Sequence, residues 1–372
     1  MPSASIRKEH VATALRHSTG LLEFTSRLGS EITALVQEVH AASSPLALLT
    51  SNHRPARVIY GGIRLGFHGA GRLAALGGRL AGRDPAPDSW LDVQSAVNGA
   101  FGHLFDARRG GFALPMSLRR PDRRRAERIV VFLHGLCMNE RAWQKPAQHR
   151  FVGWARERLG AEVAYLRYNT GLRISTNGAM LAELLEREAL PREVILVGHS
   201  MGGLVALSAL HRAQELGHDW PAHVTHLACL GVPHEGTSLE RLGNHANRLL
   251  KGLPWTRPFM RLGNLRSDGI RDLRFGHLFD EDWRGRPTDD PRPLRRHAPL
   301  PPHVDHLLVA AARRASGETD PLGDWLVRVE SAHARNLYPA DAARRELVRD
   351  LDHLGLLADE RVYALLRDWI RD

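Results

Sequence analysis

The residues with the most chemical potential lie in LVGHSMGG, Leu196 to Gly203. Gly198-His199-Ser200-Met201-Gly202 fits G-x-S-x-G, the pattern of a sharp strand-to-helix turn that presents a serine hydroxyl for nucleophilic attack. Glycines on both sides let neighbouring chain pass close to such a turn. The apolar run before it predicts a buried strand and the pattern after it a helix, whose N-terminus would add positive potential beside Ser200. A serine attacking a carbonyl needs a base, an acid behind that base and donors for the developing oxyanion. The Met201 amide is one such donor, as the residue after the nucleophile. The second is expected from the loop after an earlier buried strand, and VVFLHGLCMNERAW places His134-Gly135-Leu136 there. Gly135 permits a turn that aims the Leu136 amide inward. His134 reads as a structural hydrogen-bonding residue.

Taken together, FLHGL, GHSMGG and GVPHEG resemble the α/β-hydrolase-fold lipases and esterases, and most of all the bacterial triacylglycerol-lipase-like and inositol-deacylase-like hydrolases. The resemblance covers roughly residues 112 to 372. It implies a Ser-His-Asp triad in the chain order serine, acid, histidine, and ester hydrolysis through an acyl-enzyme. The acid should follow a late strand, where Asp320 and Asp324 both stand. Gly323-Asp324-Trp325-Leu326-Val327 with Ser331 matches the family's Asp-Gly-Leu-Val-like turn, with Trp325 in the glycine's place, and this favours Asp324. Asp320 is the alternative, and a helix cap or loop carboxylate is the plain reading of either. The base should come later still. His353, after the strand-like ELV, has that position; His333 follows the acid too closely, in a helical stretch. Some relatives hold a calcium with an Asp two residues past the histidine. Gly355 stands there, so neither metal nor cofactor is expected. Pro233 and His234 in GVPHEG, and Trp255 further on, are candidates for the acyl pocket. Asn169 and Ser175 in YNTGLRISTNG are further candidates, with helix capping by Ser175 or Thr176 as the plainer use.

These groups need a frame. From about residue 112, strand patterns alternate with helical ones: FALPMSLR, then the buried runs RIVVFLHG, AEVAYLRYN, EVILVG, VTHLACLGV and HVDHLLVAAA as strands, with helices between, the first of them RAWQKPAQHRFVGWARERLG. That rhythm means an α/β fold, a mostly parallel sheet covered on both faces. The rhythm breaks over about 235–300, an insertion rich in Arg, Gly and Pro. Its apolar residues Leu249, Leu250, Leu253, Trp255, Phe259 and Met260 suggest a lid over an apolar pocket, or a small satellite core. RSDGIRDLRFG, Arg266 to Gly276, has no evident chemical role. Residues 1–110 form a helical N-terminal region, with Leu21, Phe24, Leu28, Ile32, Leu35, Val36 and Val39 on one stripe and Trp90, Val93, Val97, Phe101 and Leu104 on another. The α/β-hydrolase domain is expected over 111–372.

Composition sets the outer limits. The chain of 372 residues is 43% hydrophobic and 25% charged, which is ordinary for a globular protein. No apolar run is long enough to span a bilayer and the N-terminus lacks a signal-peptide core, so a cytoplasmic place is expected. Gly62 and Gly66, four apart, would let a second helix of the same chain approach closely, while Arg64, His68 and Arg72 interrupt any spanning segment; peripheral membrane contact through the N-terminal helices is the alternative. Cys137 and Cys229 are expected as buried, reduced thiols. The net charge of +10 comes almost entirely from scattered arginine, which argues against a nucleic-acid partner. The expected substrate is a lipid-like or otherwise apolar ester. An α/β-hydrolase-fold binding or scaffold protein with idle chemistry is the competing function.

Overall fold

The computed structural model describes residues 26, 69, 88–104, 113–123, 126–188, 190–238, 267–285, 299–313 and 323–371. The chain divides into two compact units. One comprises Met1–Gln94 with Leu104–Ala113, the other Ser95–His103 with Leu114–Asp372. Helix α1, Asp88–Phe101, supplies its last turns to the second unit. The other proposed N-terminal helices, Gly62 and Gly66 among them, lie outside the described residues.

Among the described residues the second unit has seven strands: β1 Ser117–Arg119, β2 Arg128–Leu133, β3 Glu162–Arg167, β4 Glu193–His199, β5 Val224–Leu230, β6 Asp305–Ala312 and β7 Arg344–Arg349. Their order across the sheet is β1-β3-β2-β4-β5-β6-β7. Only β1 is antiparallel, paired with β3 on the edge; the remaining pairs are parallel. The strand read into FALPMSLR shrinks to three residues, in keeping with an edge position where one side has no partner.

The middles of the central strands β2, β4 and β6 are apolar without interruption because both faces are covered. Ile129, Val131 and Leu133 of β2 and Val194 and Leu196 of β4 face one core, with helices α3 (Ile174–Arg187) and α4 (Met201–Leu216). Val130, Phe132, Ile195 and Val197 face the other, with α2 (Pro146–Arg158) and α7 (Glu360–Arg371). Period-two alternation of the side chains divides each strand between the two cores.

RAWQKPAQHRFVGWARERLG reads as one helix and is two elements: a 3-10 turn, Glu140–Trp143, then α2. Pro146 explains the break. It forces Lys145 into extended backbone (φ −117°, ψ 152°) and then starts α2 with its fixed φ.

Within the insertion, residues 239–266 and 286–298 lie outside the described residues, and so does the lid reading, with Trp255. The flanks are well defined. RSDGIRDLRFG contains α5, Asp268–Phe275, capped by the Ser267 hydroxyl, which accepts from the Ile270 amide. The Thr237 amide donates to the Leu273 carbonyl at 3.0 Å, so the chain leaves for the insertion beside the point of its return. Cys137 and Cys229 are buried and free, and burial pushes both thiols up to about 12.

Candidate active site

Ser200 sits between β4 and α4 with φ 53° and ψ −123°, a conformation that costs energy for any residue with a side chain. Surrounding structure holds it there. The Ser200 amide donates to the Leu230 carbonyl of β5 at 2.9 Å. The turn is so tight that a methyl group on Gly202 would collide with the Leu133 carbonyl, and one on Gly198 would reach 2.5 Å from Gly203. The local sequence dictates this packing: only glycine lets β4, α4 and the end of β2 meet at one point.

The loop after β2 runs past the serine. A carbon attached to Gly135 Cα would lie 3.1 Å from Ser200 Cβ and 3.1 Å from His199 Nδ1. Leu136, next in the chain, is buried. Cys137 takes a positive φ of 63°, and its amide donates to Thr170 Oγ1 at 3.0 Å. His134 stacks on Tyr168 with centroids 4.4 Å apart and donates from Nδ1 to the Gly135 carbonyl at 3.0 Å. Burial lowers its pKa to about 4, so it stays neutral, which suits a structural group.

His353 and Asp324, 29 residues apart, meet: His353 Nδ1 donates to Asp324 Oδ2 at 2.7 Å, and both side chains are buried. Asp324 Oδ1 accepts the Leu326 and Val327 amides at 2.9 and 2.7 Å. The carboxylate is therefore fixed by its own turn before it reaches the ring. That turn has Gly323 at φ 55° and Trp325 at φ 78°, with Trp325 exposed beneath the Arg313 guanidinium at 3.9 Å. His353 is fixed from its other side. His199 Nε2 donates to the His353 carbonyl at 3.0 Å, and the two rings lie 4.7 Å apart. A carbon on Gly231 would sit 3.2 Å from His353 Nδ1. The ring thus lies at the carboxyl ends of β4 and β5, the edge that carries Ser200. Asp352 turns away, with Oδ1 accepting the Gly355 amide at 2.8 Å. His333 ends the short helix α6, Val329–Ala332, and binds the Glu346 carbonyl at 3.0 Å. Asp320 lies outside the described residues.

This sheet order, with one antiparallel edge strand and a strained serine between the middle strand and its helix, has a counterpart in sequence. Residues 124–249 match the model of the PGAP1-like alpha/beta domain family. The chain has the α/β-hydrolase fold. Solved structures similar to this α/β-hydrolase domain include a lipase-esterase related protein from Clostridium acetobutylicum ATCC 824, with 12% identity, TM-score 0.42, and 69% of this chain and 99% of that chain covered. An esterase from Exiguobacterium antarcticum has 17% identity, TM-score 0.42 and coverage of 70% and 96%. The RedJ thioesterase of the prodiginine pathway in Streptomyces coelicolor has 20% identity, TM-score 0.41 and coverage of 65% and 89%. No curated protein matches the chain by sequence.

The remaining candidates have other partners. Pro233 and His234 form a turn closed by the Gly236 amide on the Pro233 carbonyl at 2.9 Å. His234 is buried with its ring edge-on to Tyr338 at 6.3 Å, and burial lowers its pKa to about 3. Asn169 builds its own loop: Oδ1 accepts the Gly171 amide at 2.9 Å, and Nδ2 donates to the Gly102 carbonyl at 3.1 Å. Ser175 does not cap α3; its hydroxyl donates to Asp280 at 2.7 Å. The cap comes from outside the helix. Asp272 of α5 accepts the Ile174 amide at 2.8 Å and pairs with Arg173 at 2.6 Å. Sequence reading missed both His199 and Asp272. His199 was visible only as the variable position of G-x-S-x-G, and Asp272 only as an acidic residue in a short helix. No group of three or more His, Cys, Asp or Glu among the described residues is arranged to hold a metal ion.

Proposed function

We propose that this chain is a serine hydrolase that cleaves carboxylic esters with a lipid-like or apolar acyl group. Ser200 is the nucleophile, His353 the base and Asp324 the acid behind it. The observation that carries the reading is the 2.7 Å bond from His353 to Asp324 at the sheet edge where Ser200 stands in its strained turn. With Nδ1 engaged as donor, Nε2 is left as the basic nitrogen. His353 takes the Ser200 proton as the oxygen attacks the ester carbonyl. The Leu136 and Met201 amides hold the oxyanion, each worth about 3 kcal/mol in the transition state. His353 then protonates the departing alcohol. Water, deprotonated by the same ring, attacks the acyl-enzyme and releases the acid and free Ser200. The apolar acyl preference rests on the leucines and aromatic residues of the insertion sequence. A cytoplasmic enzyme meeting its substrate at a membrane surface fits this chemistry; among the described residues no helix is long and apolar enough to cross a membrane.

The test compares wild type with Ser200→Ala on p-nitrophenyl esters of increasing acyl length and on a fluorophosphonate label. Wild type is expected to label and to hydrolyse, with the variant inert and equally stable. Absence of both labelling and hydrolysis in folded wild-type protein would instead favour a scaffold with idle chemistry.

A further inference from the structure

The last turns of α1 belong to the α/β-hydrolase unit although they precede its first strand. They lie against the loop proposed to hold the oxyanion. A methyl group on Gly99 would reach 2.7 Å from Cys137 Cα and 2.8 Å from Cys137 N, closer than real carbons approach. Ser95 Oγ accepts from Asn139 Nδ2 at 3.0 Å, while Asn139 Oδ1 accepts the Arg141 amide at 2.9 Å. Between these two contacts the chain runs Cys137-Met138, immediately after Leu136. Two more segments converge on the same turns. The Gly102 carbonyl accepts from Asn169, and a methyl on Gly171 would collide with the Asn98 carbonyl. The Gly99 carbonyl accepts from Ser267 Oγ at 2.6 Å. Thr170, between Asn169 and Gly171, holds the Cys137 amide.

We propose that Ser95–Gly102 is a positioning element for the oxyanion loop, with Gly99 and Ser95 setting the backbone of Leu136 and Cys137. The inference rests on the esterase reading for its catalytic consequence and on packing alone for its mechanical part. The loop needs such support because Cys137 sits at positive φ, a conformation that relaxes when its neighbours withdraw. A donor must lie within a few tenths of an ångström of where the oxyanion forms, and misplacement by about 1 Å costs on the order of a hundredfold in rate. Glycine at 99 lets the helix backbone approach Cys137 too closely for any side chain to fit between. Ser95, one turn earlier, fixes the loop further along.

Two variants of the full chain test this. Ser95→Ala removes the acceptor of the Asn139 Nδ2 hydrogen bond without adding bulk. It is expected to speed amide hydrogen exchange in peptides spanning 134–140 by roughly fivefold, the equivalent of one net hydrogen bond, with exchange in β3 unchanged. Its kcat on a p-nitrophenyl ester falls severalfold at constant KM. Gly99→Ala displaces the loop and lowers kcat by more than tenfold, again at constant KM, at temperatures well below its melting point. Gly153→Ala, where a methyl meets nothing within 4 Å, is the control with wild-type kcat. Wild-type exchange at 134–140 in Ser95→Ala overturns the proposal, as does exchange that rises evenly through the whole domain. A folded Gly99→Ala with wild-type kcat overturns the catalytic part. Should Gly99→Ala fail to fold, Ser95→Ala decides alone. Should wild type neither hydrolyse nor label, the esterase reading falls and the exchange result still decides whether the clamp exists.

Discussion

Asp324 shows how much one side chain can be asked to do. Its Oδ1 is held by two amides of its own turn and its Oδ2 by His353. Replacing it with asparagine keeps the shape and reverses one bond. The amide nitrogen would then donate to His353 Nδ1, and the ring would carry its proton on Nε2, the nitrogen that the proposed mechanism needs empty. Asp324→Asn is therefore expected to lower kcat by about 10⁴ with little change in melting temperature. Steady-state kinetics beside a thermal melt check this; a loss below tenfold would place the catalytic acid elsewhere. Trp325 next door keeps a positive φ that glycine would adopt freely. The turn tolerates this because Asp324 fixes its amides and Arg313 lies over the indole.

At the scale of elements, helix α5 within the insertion acts as a brace. Asp272 of α5 caps α3 from across the structure and pairs with Arg173, which also meets Asp268 and lies over Trp283 at 4.5 Å. A helix whose first amides are satisfied by another element depends on that element staying in place. Asp272 is buried, so removing it strands the Ile174 amide and takes from Arg173 its buried carboxylate, leaving it only the more exposed Asp268. Asp272→Ala is expected to destabilise the protein by about 3 kcal/mol, read as a lower urea midpoint. RSDGIRDLRFG carried no chemical meaning as a string, because a cap supplied in trans leaves no mark at the helix it serves.

Over the whole molecule, buried neutral histidines tie stability to pH. Burial lowers His234 to about 3, and His134 and His306 to about 4. In the unfolded chain each titrates near 6.5. Between those values the unfolded chain binds protons that the folded one refuses, so stability is full above about pH 6.5 and is lost as pH falls toward 4. Each group contributes about 1.4 kcal/mol per pH unit within that window. Urea unfolding from pH 7 to pH 4.5 should show the decline, and His306→Gln should make it shallower by about that amount. An unchanged slope in the variant would remove His306 from the account.

Much of this protein could be read from its string of residues. Apolar strands alternating with helices announced a parallel sheet covered on both faces, because such a sheet takes both faces of its central strands out of water. The strained turn at Ser200 was legible as well, since the steric demand is local: Gly198 and Gly202 sit within two residues of it. Sequence order with the family resemblance pointed to Asp324 and His353, and folding brings the two within a hydrogen bond. What tertiary structure alone decided were relations with no local signature. His199 holds the His353 carbonyl across 154 positions, Asp272 caps a helix 98 residues earlier, and Ser95–Gly102 joins the unit it precedes. Each of these rests on a handful of hydrogen bonds and van der Waals contacts between distant segments. Periodicity and motifs record what a residue needs from its near neighbours, and the sheet's crossovers choose its distant ones.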